Sequence, residues 1–242
     1  MTDFAAATPA RCYALVPCAG SGSRAGTAAP KQYARVAGRS VVAHTLRALG
    51  AVRRLDATLV VLAPDDRGFA AAAPDFTGAR AWVARVGGAT RAATVANGLA
   101  ELRRCGAADD DWVLVHDAAR CLVRAEWVQR LIDACADDAV GGLLALPLAD
   151  TLKQAAAGRV AATVDRGGKW LAQTPQMFRL GLLDAALRAA GDAVTDESSA
   201  VEALGEQPLL VRGEAENFKL TWPGDFALAA RMLATAGVET VE

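Results

Sequence analysis

One stretch near the start of the chain decides its fold: Val16-Pro17-Cys18-Ala19-Gly20-Ser21-Gly22-Ser23-Arg24. The apolar run before it, residues 13–16, predicts a buried strand that ends in this glycine-rich loop. Because glycine has no Cβ, the backbone N–H groups of such a loop can approach a phosphate chain closely. Arg24 and the later Lys31 add the positive charges that a polyanion requires. The stretch therefore predicts a nucleotide triphosphate site after the first strand.

Three kinds of phosphate-binding loop match parts of this stretch. A Walker A loop requires Gly-Lys-Ser/Thr, whereas Gly168-Lys169 is followed by Trp170. A Rossmann fingerprint is formally present at residues 20–25, but Gly26 and Pro30 interrupt the helix that it should open, and no acidic residue closes a second strand about 20 residues later. The G-x-G-x-R loop of nucleotidyltransferases, followed by Pro-Lys, matches throughout. The glycines alone also permit a plain turn with solvated charges.

Composition limits the classes of partner. The 242 residues can bury a sizeable core, and we expect one domain over residues 1–242. With 26 basic and 27 acidic residues, the chain has no overall charge that would attract nucleic acid or an anionic membrane. The first ten residues lack a signal-like apolar core, and no run reaches the roughly 20 apolar residues of a membrane span. The five cysteines are scattered without CxxC pairs, so we expect reduced thiols in a cytoplasmic protein.

The remaining chain alternates strand-like and helix-like segments. Continuous apolar runs predict strands at residues 13–16, 57–63, 81–86, 112–115, 142–147 and 209–211. Helices are expected after Ser40, after Thr90, around Trp127, at residues 182–187, at residues 196–204 behind Thr195 as N-cap, and from Pro223. Such runs are typical of strands that are covered on both faces. We therefore expect an α/β fold with a doubly wound, mostly parallel, Rossmann-like sheet of the nucleotidyltransferase type.

The alternation stops between residues 150 and 178. Only short β-compatible pieces occur there, at residues 151–153 and 160–164, with a turn at Arg166-Gly167-Gly168. A stretch of this length inside a compact domain is usually functional or an excursion from the body. We interpret it as a protruding β-arm that clasps a second subunit, so a homodimer is expected.

A second candidate site follows the predicted strand at residues 112–115. Asp117 stands at its carboxyl end, where ligands bind in open α/β sheets. A carboxylate beside a triphosphate is repelled unless a cation intervenes, so Asp117 is the candidate Mg²⁺ ligand. One carboxylate is enough when phosphate oxygens and waters complete the coordination. Capping of the following turn is an equally weighted alternative for this residue.

Together, the separated motifs resemble those of the 2-C-methyl-D-erythritol 4-phosphate cytidylyltransferase family of the non-mevalonate isoprenoid pathway. The resemblance spans residues 17–225 and rests on the order of motifs at residues 17–24, 30–33, 87–91, 116–120, 150–151, 163–166, 174–176, 195–197 and 217–219. It implies attack of a phosphate oxygen of methylerythritol phosphate on the α-phosphorus of CTP, with release of pyrophosphate. Such a displacement requires alignment and charge neutralisation rather than a protein nucleophile.

The resemblance also implies roles for individual residues on the nucleotide side. Arg24 and Lys31 would hold the triphosphate and stabilise the charge that develops on it, and Lys219 would contact the α-phosphate. Without the resemblance, Lys219 would be interpreted as an exposed strand lysine. The nucleotide would contact Cys18, Ala19, Gly20, Gly22, Gly88, Thr94 and Asp117, with Mg²⁺ as cofactor.

On the side of the phosphorylated polyol, the resemblance implies contacts from Arg120, Thr151, Arg166, Thr174 and Thr195, and a further contact from Asp117. Thr151 and Arg166 would reach from the arm into the neighbouring subunit's site, where the forked guanidinium suits a phosphate. Two of these residues also have a purely structural interpretation. Arg166 could be a solvated charge in a turn, and the Thr195 hydroxyl could serve only as a helix cap.

Three positions depart from the family's usual pattern. Ala89 replaces an acidic residue after Gly-Gly, Thr94 replaces a serine but keeps the hydroxyl, and Cys121 replaces a proline. Two alternatives to the methylerythritol activity stay open: a ribitol 5-phosphate cytidylyltransferase, because few contacts determine the choice of sugar phosphate, and a nucleotide-binding regulator without catalysis. A Rossmann dehydrogenase is a more distant third.

Overall fold

A computed structural model describes residues 10–20, 30–191 and 194–235 of the chain. In chain order its strands are β1 (Cys12–Pro17), β2 (Arg35–Val36), β3 (Arg39–Ser40), β4 (Ala57–Val61), β5 (Ala81–Ala84), β6 (Trp112–Val115), β7 (Gly141–Pro147), β8 (Leu152–Ala156), β9 (Arg159–Val164), β10 (Trp170–Arg179) and β11 (Leu209–Arg212). The helices are α1 (Val41–Gly50), α2 (Phe69–Ala72), α3 (Arg91–Arg104), α4 (Ala125–Cys135), α5 (Leu180–Ala190), α6 (Glu197–Glu202) and α7 (Pro223–Thr235), with a 3-10 turn at Lys31–Tyr33.

The central sheet has seven strands in the order β11-β7-β10-β6-β1-β4-β5. Strand β10 is antiparallel to both of its neighbours, and the other four strand pairs are parallel. The predicted α/β class and mostly parallel sheet are therefore confirmed. The antiparallel β10 was not predicted, because its residues were assigned to the β-arm.

Helices cover the sheet on both faces. Residues 12, 14 and 16 of β1 pack into one cluster with α1 and α4, whereas residues 13 and 15 pack into a second cluster with α3, α5 and α6. This two-sided burial explains why the strands are continuously apolar in sequence. A third cluster packs α7 against residues 36, 41 and 119, and it brings the C-terminal part of the described chain next to the end of β6.

Hydrogen bonds confirm two of the predicted helix caps and correct a third. Ser40 Oγ accepts the Ala43 N–H at 3.1 Å, and Thr90 Oγ1 accepts the Ala93 N–H at 3.0 Å. For α6, the prediction of Thr195 as N-cap is wrong: Asp196 holds that position in a capping box with Ser199. Both residue types cap well, and here the carboxylate accepts the Ser199 N–H at 3.0 Å.

The excursion is shorter than predicted. Strands β8 and β9 form a separate antiparallel hairpin, whereas residues 170–178, also assigned to the arm, belong to β10 of the central sheet. Every residue of β8 is exposed, and Val160 on β9 is 66% exposed. We call residues 150–169 the arm from here on. Across the described ranges, no helix combines the length and apolarity that crossing a membrane requires.

Candidate active site

A cavity of about 530 Å³ lies at the carboxyl ends of β1 and β6. It brings together many of the residues that the sequence singled out, from both ends of the chain. Its lining residues are Pro17, Cys18, Ala19, Gly20, Lys31, Gln32, Gly88, Ala89, Thr90, Arg91, Thr94, Asp117, Ala118, Ala119 and Lys219. Of the other predicted residues, Gly22 and Arg24 lie outside the described residues.

Gln32 fixes the described part of the first loop. Its buried side-chain amide donates to the backbone carbonyls of Cys18, at 3.1 Å, and Gly20, at 2.8 Å. The neighbouring Lys31 donates through Nζ to the Leu220 carbonyl at 2.7 Å, which places the Pro-Lys segment beside the Lys219 segment. Sequence reasoning quoted Gln32 in a motif but gave it no role. Its role follows from its burial, because a buried amide needs hydrogen-bond partners, and burial is not visible in the sequence.

The Gly-Gly segment leaves no room for side chains. A Cβ on Gly87 would lie 2.5 Å from the Ala19 Cβ, and a Cβ on Gly88 would lie 2.6 Å from the Ala93 Cβ. The Thr94 hydroxyl accepts the Gly88 N–H at 3.1 Å and donates to the Thr90 carbonyl at 2.9 Å. Thr94 therefore shapes this wall of the cavity through the loop, and its direct contact with a nucleotide stays a prediction.

Asp117 is at the centre of the charged groups in the cavity. Its carboxylate accepts from Arg91 Nε at 3.0 Å and from Lys219 Nζ at 2.9 Å, and Arg120 Nε lies 3.7 Å away. Burial alone would raise the pKa of Asp117, but the charges of Arg91, Lys219 and Arg120 lower it well below its usual range. Among the described residues, the following turn donates no backbone N–H to this carboxylate, so the capping alternative has no support.

Arg91 connects Asp117 to a second buried carboxylate, which belongs to Glu197. The two terminal nitrogens of Arg91 donate to the two Glu197 oxygens at 2.7 and 3.0 Å. Burial raises the pKa of Glu197, and the neighbouring Arg91 opposes that rise. Sequence reasoning assigned no role to Arg91 or Glu197. The two residues are 106 positions apart, and an acidic residue in the first turn of a helix is common for electrostatic reasons alone.

Arg120 and Thr174 lie next to Asp117 but do not line the cavity. Arg120 donates to the carbonyls of Asn217, at 2.7 Å, and Ala172, at 3.3 Å. The Thr174 hydroxyl accepts the Asp117 N–H at 3.0 Å and lies 3.1 Å from His116 Nδ1. Their predicted contacts with the polyol stay predictions, and the structure adds a supporting role for both side chains.

Three other predicted substrate contacts lie away from the cavity. Thr151 and Arg166 are exposed on the arm, where Arg166 donates to the Ala149 carbonyl. Thr195 is exposed and borders a small neighbouring pocket of about 70 Å³, which Arg91 and Glu197 also line. Within one subunit the structure does not bring these three residues into the cavity.

The donor set suits a magnesium ion that is held mainly by its ligand's phosphates. Asp117 is the only carboxylate among the residues that line the cavity, and the described residues contain no group of three or more His, Cys, Asp or Glu that could hold a metal by themselves. Magnesium commonly takes one or two carboxylates together with phosphate oxygens and waters. Asp117 is therefore the residue of this cavity that could hold it.

Comparison with known proteins identifies the family. The chain matches the family model described as "IspD: 2-C-methyl-D-erythritol 4-phosphate cytidylyltransferase" over residues 12–235. It is 56% identical over 223 residues to the 2-C-methyl-D-erythritol 4-phosphate cytidylyltransferase of Chromobacterium violaceum, covering 91% of this chain and 97% of that protein.

Two further relatives agree. A bifunctional IspD/IspF enzyme of Albidiferax ferrireducens is 61% identical over 228 residues; the match covers 94% of this chain but only 54% of that enzyme, so the chain spans about half of its length. A crystal structure of a 4-diphosphocytidyl-2C-methyl-D-erythritol synthase superposes with a TM-score of 0.83 at 44% identity, covering 93% of this chain and 99% of that one. The chain belongs to the 2-C-methyl-D-erythritol 4-phosphate cytidylyltransferase family, as its motifs predicted.

Proposed function

We propose that this chain transfers the cytidylyl group of CTP to the phosphate of 2-C-methyl-D-erythritol 4-phosphate and releases pyrophosphate. The observation that carries the proposal is the convergence of Arg91, Lys219 and Arg120 on Asp117 beside the first glycine loop. The named relatives support the same substrates. Phosphoryl and nucleotidyl displacements need positioning and neutralisation of charge, which this arrangement of cations can supply.

Two lysines would act on the triphosphate. Lys31 and Lys219 both line the cavity, although one follows β1 and the other precedes α7. The hydrogen bond from Lys31 to Leu220 keeps their segments together. An ammonium group beside the α-phosphorus would stabilise the negative charge that builds up as pyrophosphate leaves. Arg24 has the same role in the proposal on the grounds of family resemblance alone.

The cytosine would lie against the Gly-Gly wall. Gly88 lines the cavity, and the neighbours of Gly87 and Gly88 leave no room for a Cβ at either position. Ala89 lines the cavity without a side-chain acceptor, so recognition of the base at this position would fall to backbone groups. Cys18, Ala19 and Gly20 provide the facing loop, which Gln32 holds in place.

Asp117 would hold Mg²⁺ together with phosphate oxygens of CTP. When bound there, the ion would neutralise phosphate charge and make the α-phosphorus more electrophilic. In the structure Lys219 occupies one oxygen of Asp117, at 2.9 Å, so the nucleotide phosphates would have to draw this ammonium towards themselves. A Mg²⁺ ion on Asp117 and the Lys219 ammonium would then both act on the phosphates of CTP.

The arm would complete the site of a second subunit in a homodimer. Thr151 and Arg166 are exposed, and the apolar side chains Leu152 and Val160 are 37% and 66% exposed. Exposed apolar groups on a protruding hairpin are typical of an interface. A partner placed against them would receive Arg166, whose guanidinium suits the phosphate of the polyol.

The proposal also includes a cytoplasmic location and excludes nucleic acid and membrane as partners. The exclusion is supported by the balance of 26 basic and 27 acidic residues, which creates no overall attraction to a polyanion or an anionic surface. The location is supported by the five scattered cysteines without CxxC pairs, which are typical of reduced thiols.

A pyrophosphate-release assay tests the function directly. The protein is incubated with Mg²⁺, each of CTP, UTP and ATP, and either methylerythritol phosphate or ribitol 5-phosphate. We expect release with CTP and methylerythritol phosphate, and at least about 100-fold less with ribitol 5-phosphate, because each misplaced polar contact costs a large share of transition-state binding. Preference for ribitol phosphate would overturn the choice of substrate. CTP binding without any turnover would indicate the non-catalytic regulator.

A further inference from the structure

Glu197 is a buried carboxylate in α6, and no residue of this helix lines the large cavity. Its side chain is 1% exposed, and it meets the cavity only through Arg91, which is 28% exposed and lines it. Arg91 in turn contacts Asp117. The three side chains form a chain, Glu197–Arg91–Asp117, from the interior to the reacting groups.

The geometry leaves Arg91 a single contact with Asp117. Both terminal nitrogens of the guanidinium are bonded to the two Glu197 oxygens, so Nε is the donor that reaches Asp117 Oδ1, at 3.0 Å. A bidentate arginine–carboxylate pair fixes the plane of the guanidinium as well as its position. Glu197 therefore determines where the Nε–H of Arg91 points.

The backbone that carries Glu197 is itself tied to the strand next to Asp117. Gln176 of β10 is buried, donates to the Asp196 carboxylate at 2.9 Å and accepts the Ser198 N–H at 2.7 Å. Gln176 pairs with Val115 of β6, two residues before Asp117. The Gln176 side chain and the pairing of β10 with β6 thus set the distance between the Glu197 and Asp117 carboxylates, and Arg91 spans this distance.

We propose that Glu197 is a positioning residue for the reaction: it orients Asp117 through Arg91 and keeps the Arg91 fork away from the phosphates of the nucleotide. This inference rests on the proposed function, since it assigns a role within that same site. Asp117 is then held on one oxygen by a fixed donor, while the other faces Lys219, the cation proposed to contact the α-phosphate.

The charge of Glu197 matters as well as its shape. An arginine at the wall of a triphosphate site has a strong tendency to bind phosphate in a bidentate manner. If Glu197 did not neutralise and occupy the fork, Arg91 could turn towards the bound nucleotide. Such a contact would form equally in the ground state and the transition state, so it would tighten CTP binding without accelerating transfer. Loss of the charge should therefore separate kcat from KM.

The test compares Glu197→Gln with Asp184→Asn. Asp184 is also a largely buried carboxylate, paired with Arg103 and Arg188, but it does not line the cavity. We expect Glu197→Gln to lower kcat by about 30-fold while KM for CTP stays the same or falls, because a positioning contact is lost and a ground-state contact is gained. Asp184→Asn should lower Tm and leave kcat within about twofold of wild type.

A double-mutant cycle tests whether Glu197 acts through Arg91. In an Arg91→Lys background, which keeps the charge but removes the fork, Glu197→Gln should change kcat by less than about twofold, because coupled residues are not additive. A full additional loss, or equal losses of kcat in Glu197→Gln and Asp184→Asn at the same folded fraction, would overturn the proposal.

A second readout requires no turnover. The Arg91 Nε–H can be followed by NMR in the unliganded protein and assigned from its loss in Arg91→Lys. In Glu197→Gln we expect this proton to exchange with water faster, because its geometry with Asp117 is released. If Glu197→Gln does not fold, Glu197→Asp keeps the charge but shortens the reach, and it should show the same faster exchange and lowered kcat. An unchanged signal would contradict the proposal, whereas an inactive wild type would contradict only the proposed function.

Discussion

The Asp117 cavity and the arm are opposites in burial and polarity. In the cavity, charged groups are withdrawn from water: Asp117 is 7% exposed and Glu197 is fully buried. On the arm, apolar groups face water, with Val160 66% exposed and Leu152 37% exposed. Each arrangement is unfavourable unless something compensates for it.

The compensation differs between the two regions. The buried carboxylates are matched within the chain, because Arg91 bridges them and Lys219 completes the pairing. On the arm, the described residues of the same chain leave Val160 and Leu152 exposed, and its two strands form a sheet of their own. The cavity is therefore the part of the site that one subunit builds alone, and the arm is the part that we expect to require a second subunit.

The largest expected effect comes from removing the central charge of the cavity. Asp117→Asn should lower kcat by about 1,000-fold, because Lys219 and Arg91 lose their common partner and the predicted metal ligand is lost. Steady-state kinetics with CTP and methylerythritol phosphate measure this. Asp111→Asn is the control, since Asp111 is another buried carboxylate and pairs with Arg11 away from the cavity. Similar kcat losses in both variants would refute a special role for Asp117.

The second prediction concerns the pH dependence of stability that arises from a buried histidine next to Asp117. Burial lowers the pKa of His116 to about 4, against about 6.5 in an unfolded chain. Between these values the unfolded state binds more protons, so the free energy of unfolding should decrease as pH falls from 6.5 to 4, by about 3 kcal/mol in total.

Urea unfolding of wild type and His116→Asn across this pH range isolates that contribution, because all other titrating groups are shared. We expect a flatter pH dependence for the variant. If the free energy of unfolding depended on pH in the same way in both proteins, His116 would not stay neutral in the folded protein.

The third prediction tests the exposed arm as the interface between subunits. Val160→Asp puts a charge on the apolar face of the arm, where a partner subunit would bury it. We expect the particle to halve in mass at micromolar concentration by analytical ultracentrifugation, and turnover to fall by about 100-fold because Arg166 no longer reaches its site. Leu228→Asp, on α7 and 41% exposed, is the matched control. A Val160→Asp variant with unchanged mass would argue against the arm as the interface.

The smallest expected effect is at the Gly-Gly wall. In Gly88→Ala the new Cβ would lie 2.6 Å from the Ala93 Cβ, so the loop must move. We expect KM for CTP to rise about tenfold with little change in kcat, since the base loses its fit in ground state and transition state alike. Gly50→Ala should leave the kinetics unchanged, because a Cβ there meets nothing within 4 Å. If Gly88→Ala has the same KM for CTP as wild type, the Gly-Gly segment is not part of the nucleotide site.

Features that depend on local chemistry were predictable from the sequence. Ser40 and Thr90 cap their helices as expected, because a hydroxyl before an apolar helix needs only its own next residues. The choice between Thr195 and Asp196 was wrong by one position, where two good caps are adjacent. Part of the family motifs, including Cys18, Lys31, Gly88 and Asp117, meets at one cavity because loops after parallel strands lie at one edge of the sheet, whereas the arm residues do not.

Features that depend on distant partners were not predictable. Strand β10 buries Gln173, Thr174 and Gln176 while it exposes Leu171, so its pattern does not resemble a central strand. Most hydrogen-bond partners of those polar groups lie far along the chain, such as Asn217 and Asp196. The contacts among Glu197, Arg91 and Asp117 could not be predicted either, because these residues are far apart in the sequence and no local pattern connects them.

The measurement that tests the shared site most directly is complementation between two inactive variants. Lys31→Ala removes a charge from the cavity, and Arg166→Ala removes one from the arm. In a purified mixed dimer, the site with an intact Lys31 receives the intact arm of the Lys31→Ala subunit. We predict about half of wild-type turnover per mixed dimer, because one of its two sites is complete. Mixed dimers as inactive as either parent would contradict a site built from the cavity of one subunit and the arm of the other.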